Sequence, residues 1–397
     1  MSSSAGAPIN AEDISPILAH SLMASCALAF FIFGLTSSII GPTISDVAAV
    51  IGVSAATAGI LRSGRQLGQF AGFLALGGAA DKHDLRILAF VGGLTMAIGL
   101  SMVTFNGFTL AIFSAVVWGI GHSAYNLAPQ VVIGRVYAGR APAIMTVLQG
   151  VYGLGGMVGP WFVELLRGQG IHFIYFISAC MVVVAGALYS LTTKDLVQNR
   201  QAPRKANEGH ASRALSLTLL PFLCGIMLNS GAVFTAADWL YSHTQKLTNS
   251  STQQAALVTS AFWFAMTGGR FFLGFITARC GERAVIRGSI VISTVGAAAM
   301  VLPFSSIELI FVSAVLLGLG LAAVYPILIA SASNLFANNR GSVTGYMAAA
   351  GAFGAIIMPA LQGWITSTTD LGMAVLLFCT LATAATLWSI PISTPSR

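Results

Sequence analysis

Charge is what this chain has least of. Only 8% of its 397 residues are Asp, Glu, Lys or Arg, and 56% are apolar. Soluble globular domains carry roughly 25% charged residues, so a water-soluble fold of this length could not cover its own surface. Cysteine is also sparse: Cys26, Cys180, Cys224, Cys280 and Cys379 stand singly, none at metal-ligand or redox-pair spacing. They read as small packing residues, and neither a metal nor any other cofactor is expected. No Gly-rich loop is followed by Lys-Ser or Lys-Thr, which argues against direct use of ATP. A His/Asp/Glu cluster or serine–base pair at plausible spacing is missing too, so no enzyme is expected.

Long apolar runs are what it has instead. They cover about 18–41, 53–78, 86–105, 108–133, 143–166, 171–193, 214–242, 253–278, 286–304, 308–333, 342–366 and 371–391. Each approaches or exceeds the roughly 20 residues a membrane-spanning helix needs. The alternating segments of about ten residues that a β-barrel requires do not occur. The expectation is an all-α membrane protein with twelve transmembrane helices. With the N-terminus inside, the inner segments collect most basic residues, among them Lys82, Arg86, Arg135, Arg140, Lys194, Arg200, Arg279, Arg283 and Arg340. The outer side receives only Arg167 and Lys246, a bias that fixes orientation by the positive-inside rule. Topology thereby accounts for the formal charge of +7, without a nucleic-acid partner.

The chain also repeats itself. Ser114, Ala115, Val116, Gly119 and Gly121 recur as Ser313, Ala314, Val315, Gly318 and Gly320, an offset of 199 residues. The same offset carries Gly155 and Pro160 onto Gly354 and Pro359. Two pseudo-symmetric six-helix bundles, 18–193 and 214–391, follow, joined by a polar cytosolic linker at 194–213. Cytosolic tails are expected at 1–17 and 392–397, and segment 1–16 has no signal-peptide character. An even number of spans per half makes these parallel repeats, a build found in secondary transporters.

The loop Gly77-Gly78-Ala79-Ala80-Asp81-Lys82-His83-Asp84-Leu85-Arg86 resembles the signature loop of the major facilitator superfamily, with Asp84 where a second Gly is usual. A second copy runs from Gly274 through Arg279, Gly281 and Arg283, with Ala278 in the acidic position. Gly318 through Pro326, the Gly/Ala-rich run Gly345–Pro359 and Asp238-Trp239-Leu240-Tyr241 are similar to the fucose-permease-like group of sugar:proton symporters. That group carries an acid in its first span, where this chain offers Thr36, Ser37 and Ser38. The resemblance implies alternating access between two halves, with Asp81 as a conformational latch and Arg140 as its candidate partner.

Charges inside the spans point to the site, because a buried charge in lipid needs a partner, a wet cavity or a task. Arg62 and Arg65 lie roughly 14–18 Å into the second span at 1.5 Å per residue and share a helix face with Gln69. Arg270 lies within the eighth span, His122 interrupts the fourth, and Asp238 sits in the outer part of the seventh. Arg62, Arg65 and Arg270 are the expected substrate contacts, with Tyr125, Asn126, Gln149 and Tyr152 lining the cavity. Either arginine of the second span could instead lock the bundle, and Arg270 could snorkel to the interface. His122 and Asp238 are the candidate proton carriers, His122 because an imidazole titrates near neutrality. The excess of interior cations favours a small organic anion. The amides Gln69, Asn126, Gln130 and Gln149, with Trp118, Tyr152, Trp239 and Trp263, would serve a sugar. The expectation is a proton-coupled transporter of a small polar solute, a functional monomer in the plasma (inner) membrane. A sugar:proton symporter is the alternative, and a transporter-like receptor or assembly factor stands as the reading from another class.

Overall fold

In lipid a backbone must satisfy its own amides, and a helix does this within one segment. The computed structural model describes residues 16–105, 107–193, 211–302, 306–368 and 373–388, and all regular structure among them is helical. The order is α1 Pro16–Ser38, α2 Ile40–Ile51, α3 Ala55–Ala58, α4 Ile60–Lys82, α5 Leu85–Met102, α6 Phe108–Val136, α7 Ala141–Leu166 and α8 Ile171–Thr192. There follow α9 Ala211–Thr248, α10 Thr252–Cys280, α11 Glu282–Val301, α12 Ile307–Leu321, α13 Val324–Leu335, α14 Arg340–Thr368 and α15 Ala374–Trp388. Most of the linker and both expected tails lie outside the described residues.

Ten segments are long and apolar enough to cross a membrane by length and composition. The other two expected spans are α4, depleted in hydropathy by Arg62, Arg65, Gln66 and Gln69, and α15, described over only 15 residues. Exposure is inverted relative to a soluble protein. Phe264, Phe272, Trp161 and Trp364 are more than 60% exposed, whereas Arg65, Gln69, His122 and Asn126 are buried. Apolar surface on that scale marks a face made for lipid.

Two spans depart from the expected single helices, each for a proline. The helix from Pro16 breaks at Ser38–Ile39 and continues as α2, because Pro42 has no N–H to give the Ser38 carbonyl. The α2 helix ends on Gly52 at φ 74°, whose N–H returns to Ala48 O. The expected tenth span is likewise split into α12 and α13 at Ala322–Ala323, four residues before Pro326. Ser54 starts α3 by accepting from Thr57 N at 3.1 Å, and Gly59 keeps right-handed helical angles. The α3 helix therefore runs on into α4, and Arg65 lies about 15 Å from Ala55 along that path.

By contacts the chain forms two units. Unit 1 holds Met1–Gly139, Val151–Gly209 and Ser333–Ala349; unit 2 holds Arg140–Gly150, His210–Ala332 and Ala350–Arg397. The division follows the sequence halves except for two exchanged segments, 140–150 and 333–349. Within each unit the repeated glycines are the places where helices touch. A side-chain carbon on Gly119 would overlap Arg65 O, fixing α6 against α4; one on Gly318 would overlap Phe262 O, fixing α12 against α10. Gly121 meets Met96 N as Gly320 meets Ser293 N. Gly155 meets Phe31 O as Gly354 meets Met227 O. Small residues at helix crossings let backbones approach in lipid, where dispersion replaces the hydrophobic drive. The interiors differ in chemistry. Unit 1 buries Phe33, Trp118, Tyr125, Tyr175 and Tyr189, and unit 2 packs Phe262, Met266, Met300, Leu317 and Leu321.

Candidate functional site

Five helices of unit 1 meet around one guanidinium. Arg65 on α4 is 7% exposed. Its Nη1 donates to Ser37 Oγ on α1 at 3.2 Å. Its Cζ stands 5.2 Å from the ring centre of Trp118 on α6, a cation–π contact. Tyr152 on α7 and Tyr175 on α8 lie within its electrostatic reach, and Tyr175 is tethered to Thr43 on α2 at 3.0 Å. Arg65 Nε has no hydrogen-bond partner within the protein. Arg86–Asp84, Arg167–Asp46 and Arg167–Glu164 are ion pairs of unit 1, and none of them involves Arg65. Gln66 and Gln69 are buried beside it on α4, whereas Arg62, one turn back, is exposed.

On α6 the polar residues run inward from Trp118. His122 is 5% exposed, packs 4.8 Å from the Phe33 ring centre and leaves Nδ1 without a partner. Gln130 Nε2 donates to Asn126 Oδ1, and both amides are buried. Tyr125, expected to line a cavity, is 0% exposed and edge-on to Phe33 at 4.7 Å, which makes it an interior packing residue of unit 1. Tyr152 is half-buried, its carbonyl pressed against Gly34.

In unit 2 Arg270 is occupied by backbone. Because Pro326 cannot donate to Ala322 O, that carbonyl is left for Arg270 Nε at 3.3 Å. Arg270 Nη1 also donates to Gln149 O at 3.1 Å. The guanidinium thus braces the α12–α13 break against α7, and the Gln149 side chain is half-buried beside it. Asp238 is exposed on α9. Asn229 on α9 escaped the sequence reading. It is 1% exposed, and neither amide atom has a partner within the protein. A lone Asn in the apolar run 214–242 was the available signal. Tyr175 gave none, because an aromatic in an apolar span looks like any core residue.

The signature loop is built as a clamp on α14. Asp81 Oδ1 accepts from Gly341 N at 2.6 Å, and Oδ2 accepts from Ser342 N at 2.8 Å and Ser342 Oγ at 2.6 Å. A carboxylate there meets both free amides and the positive end of the helix dipole. Arg135 Nη2 donates to Ala80 O at 3.1 Å, and Arg340 lies within electrostatic reach of Arg135. The sequence reading offered Arg140 as Asp81's partner; its oxygens go to α14, and Arg140 belongs to unit 2. Asp84, the departure from the usual glycine, caps α5 by accepting from Arg86 N at 2.9 Å. Its carboxyl is held below the usual carboxylate range, first by the hydrogen bond from the Arg86 side chain.

Comparisons agree with this architecture. The profile described as Major Facilitator Superfamily matches residues 26–251 and again 223–397. An uncharacterized MFS-type transporter of Yersinia pestis is 27% identical over 377 residues, covering 91% of this chain and 94% of that one. The human organic anion transporter MFSD10 (TETRAN) superposes with a TM-score of 0.73 at 14% identity, over 94% of this chain and 99% of that one. The fucose:proton symporter FucP of E. coli, in the outward conformation, gives 0.71 at 12% identity, over 92% and 97%. With a profile matched in both halves, an all-helical fold and apolar spans, the chain belongs to the major facilitator superfamily, as a multi-pass membrane transporter and not an enzyme.

Proposed function

We propose that this chain is a secondary active transporter of a small organic anion, coupled to protons. It works by alternating access of the halves 18–193 and 214–391, as a monomer of the plasma membrane with both termini cytosolic. The observation that carries the reading is Arg65. A guanidinium buried to 7% exposure without an acid partner among the described residues is costly, and a bound carboxylate or phosphate supplies the missing countercharge. The planar fork suits such groups, and Nε is left for them. Arg62 supplies a second cation one turn away. His122, within electrostatic reach of Arg65, is the favoured proton carrier, because solute charge and proton charge there act on each other directly. Asp81 on the α14 N-terminus is the latch, a contact that opening and closing must make and break.

A sugar is the second reading, favoured by the buried amide pair Asn126–Gln130 and by Trp239, whose indole N–H donates to Pro359 O at 3.0 Å. Fold does not separate the two, since the organic anion transporter and the fucose symporter superpose almost equally well; the buried Arg65 guanidinium favours the anion. Purified protein in liposomes, offered labelled mono- and dicarboxylates and hexoses under an inward proton gradient, tests the choice. Carboxylate accumulation that a protonophore collapses is the expected result. Hexose accumulation with carboxylates at background would replace the anion with a sugar. No flux under any imposed gradient would favour a receptor or assembly factor.

A further inference from the structure

Among the buried polar atoms of unit 1 without a hydrogen-bond partner within the protein, four lie along α6 and α8: Trp118 Nε1, His122 Nδ1, Tyr125 Oη and Tyr189 Oη. All four side chains are at most 5% exposed. Three belong to α6 at positions 118, 122 and 125, spacings of four and three that place them on one helix face. The fourth, on α8, continues the line, its ring centre 6.3 Å from that of Tyr125. One end of the line is Arg65, over Trp118. The other is the Asp84–Arg86 ion pair: Tyr189 lies within electrostatic reach of Asp84, and the adjacent Ser190 donates to Arg86 O at 3.1 Å.

Two glycines stand beside the line. A side-chain carbon added to Gly93 would come no closer than 3.7 Å to any neighbour, with the Tyr125 ring at 3.8 Å. One added to Gly186 would meet the carbons next to the Tyr125 hydroxyl at 3.9 Å and Ala89 O at 3.8 Å. The hydroxyl end of Tyr125 is thus flanked by two glycines and bounded by carbonyls. A buried water needs two to four polar partners. The second repeat places Leu321 and Val324 at the positions corresponding to His122 and Tyr125, so the polar line is particular to unit 1.

We propose that unit 1 binds a file of internal water molecules along α6, running from Arg65 past His122, Tyr125 and Tyr189 to the Asp84–Arg86 end of the bundle. Water in this file satisfies the four side chains and reaches His122 from the Asp84–Arg86 end. The inference is independent of the anion reading, and its test needs no solute. Purified full-length protein is exposed to synchrotron X-rays for hydroxyl-radical footprinting, with oxidation read residue by residue by mass spectrometry. Radicals form at bound water, so Tyr125 and Tyr189 should oxidise several-fold faster than the equally buried Phe222 and Phe262, after correction for intrinsic reactivity. Rates at or below those of the two phenylalanines would overturn the file. Tyr125→Phe and Tyr189→Phe give a second arm. Loss of a water-bridged hydroxyl lowers Tm, and the double variant loses less than the sum of the singles. An unchanged or raised Tm in both single variants, the result for hydroxyls in a dry core, would also overturn it.

Discussion

A guanidinium inside a helical bundle has to be answered by something, and for Arg65 the answer within the chain is a serine hydroxyl and an indole face. Neither carries charge. If the solute completes the site, geometry matters as much as sign. Arg65→Lys keeps the charge but loses the fork, and it should raise KM for the transported anion about tenfold, the loss of one good charged hydrogen bond. Initial-rate uptake into liposomes measures this, with Tm in detergent as the control for folding. Asp84 makes a different prediction at the same scale. Its carboxyl is held low by Arg86, so its contribution is complete above the ordinary carboxylate pKa of about 4. It is lost only as pH falls through the lower folded value. Asp84→Ala should cost about 0.5–2 kcal/mol near neutrality, the usual worth of an N-cap. Wild type and variant should converge in Tm only in strong acid, and a gap that closes near pH 6 would contradict the cap.

At the scale of elements, crossings between helices are set by glycine and breaks by proline. Gly119→Ala and Gly318→Ala each push a carbon into a backbone carbonyl of the facing helix. Each should destabilise by about 1–3 kcal/mol, as overpacking does. Gly288 has nothing within 4 Å of an added carbon, and Gly288→Ala should be neutral or stabilise by about 0.5–1 kcal/mol through helix propensity. Thermal unfolding of the three variants side by side reads the contrast. These crossings were legible in the sequence, because the residues that repeat at 199 are the ones that cannot grow a side chain. The breaks at Ile39 and Ala322 were not, although Pro42 and Pro326 were in plain view. Membrane helices tolerate proline in many places, and only the loss of a particular carbonyl's partner shows which proline splits a span. The carbonyls of Ala322 and Gln149 that Arg270 bonds were hidden for the same reason, since backbone has no sequence signature.

At the scale of the whole molecule, composition, the repeat and the loop around Asp81 were enough to reach the fold and the family. The site was legible only in part. Arg65 and His122 announced themselves as charges out of place. Tyr125 lies wholly inside the bundle and Asp238 is exposed, and neither degree of burial is written in the sequence. Asp81 holds the signature loop to the start of α14 through three hydrogen bonds. Asp81→Ala should cost at least about 1.5 kcal/mol, the lower end for hydrogen bonds to a charged group, and should slow uptake together with lowering Tm. Asp81→Asn, which keeps one acceptor oxygen but no charge, should fall between wild type and Asp81→Ala in both readouts. An Asn variant as impaired as the Ala variant would show that charge alone makes the latch.

The most direct measurement is carboxylate uptake by Arg65→Gln beside wild type, in liposomes with equal amounts of folded protein. The account predicts a loss of at least tenfold, about 1.4 kcal/mol, with Tm held or raised because a buried cation has been removed. Uptake of the same anion at the wild-type rate would contradict it.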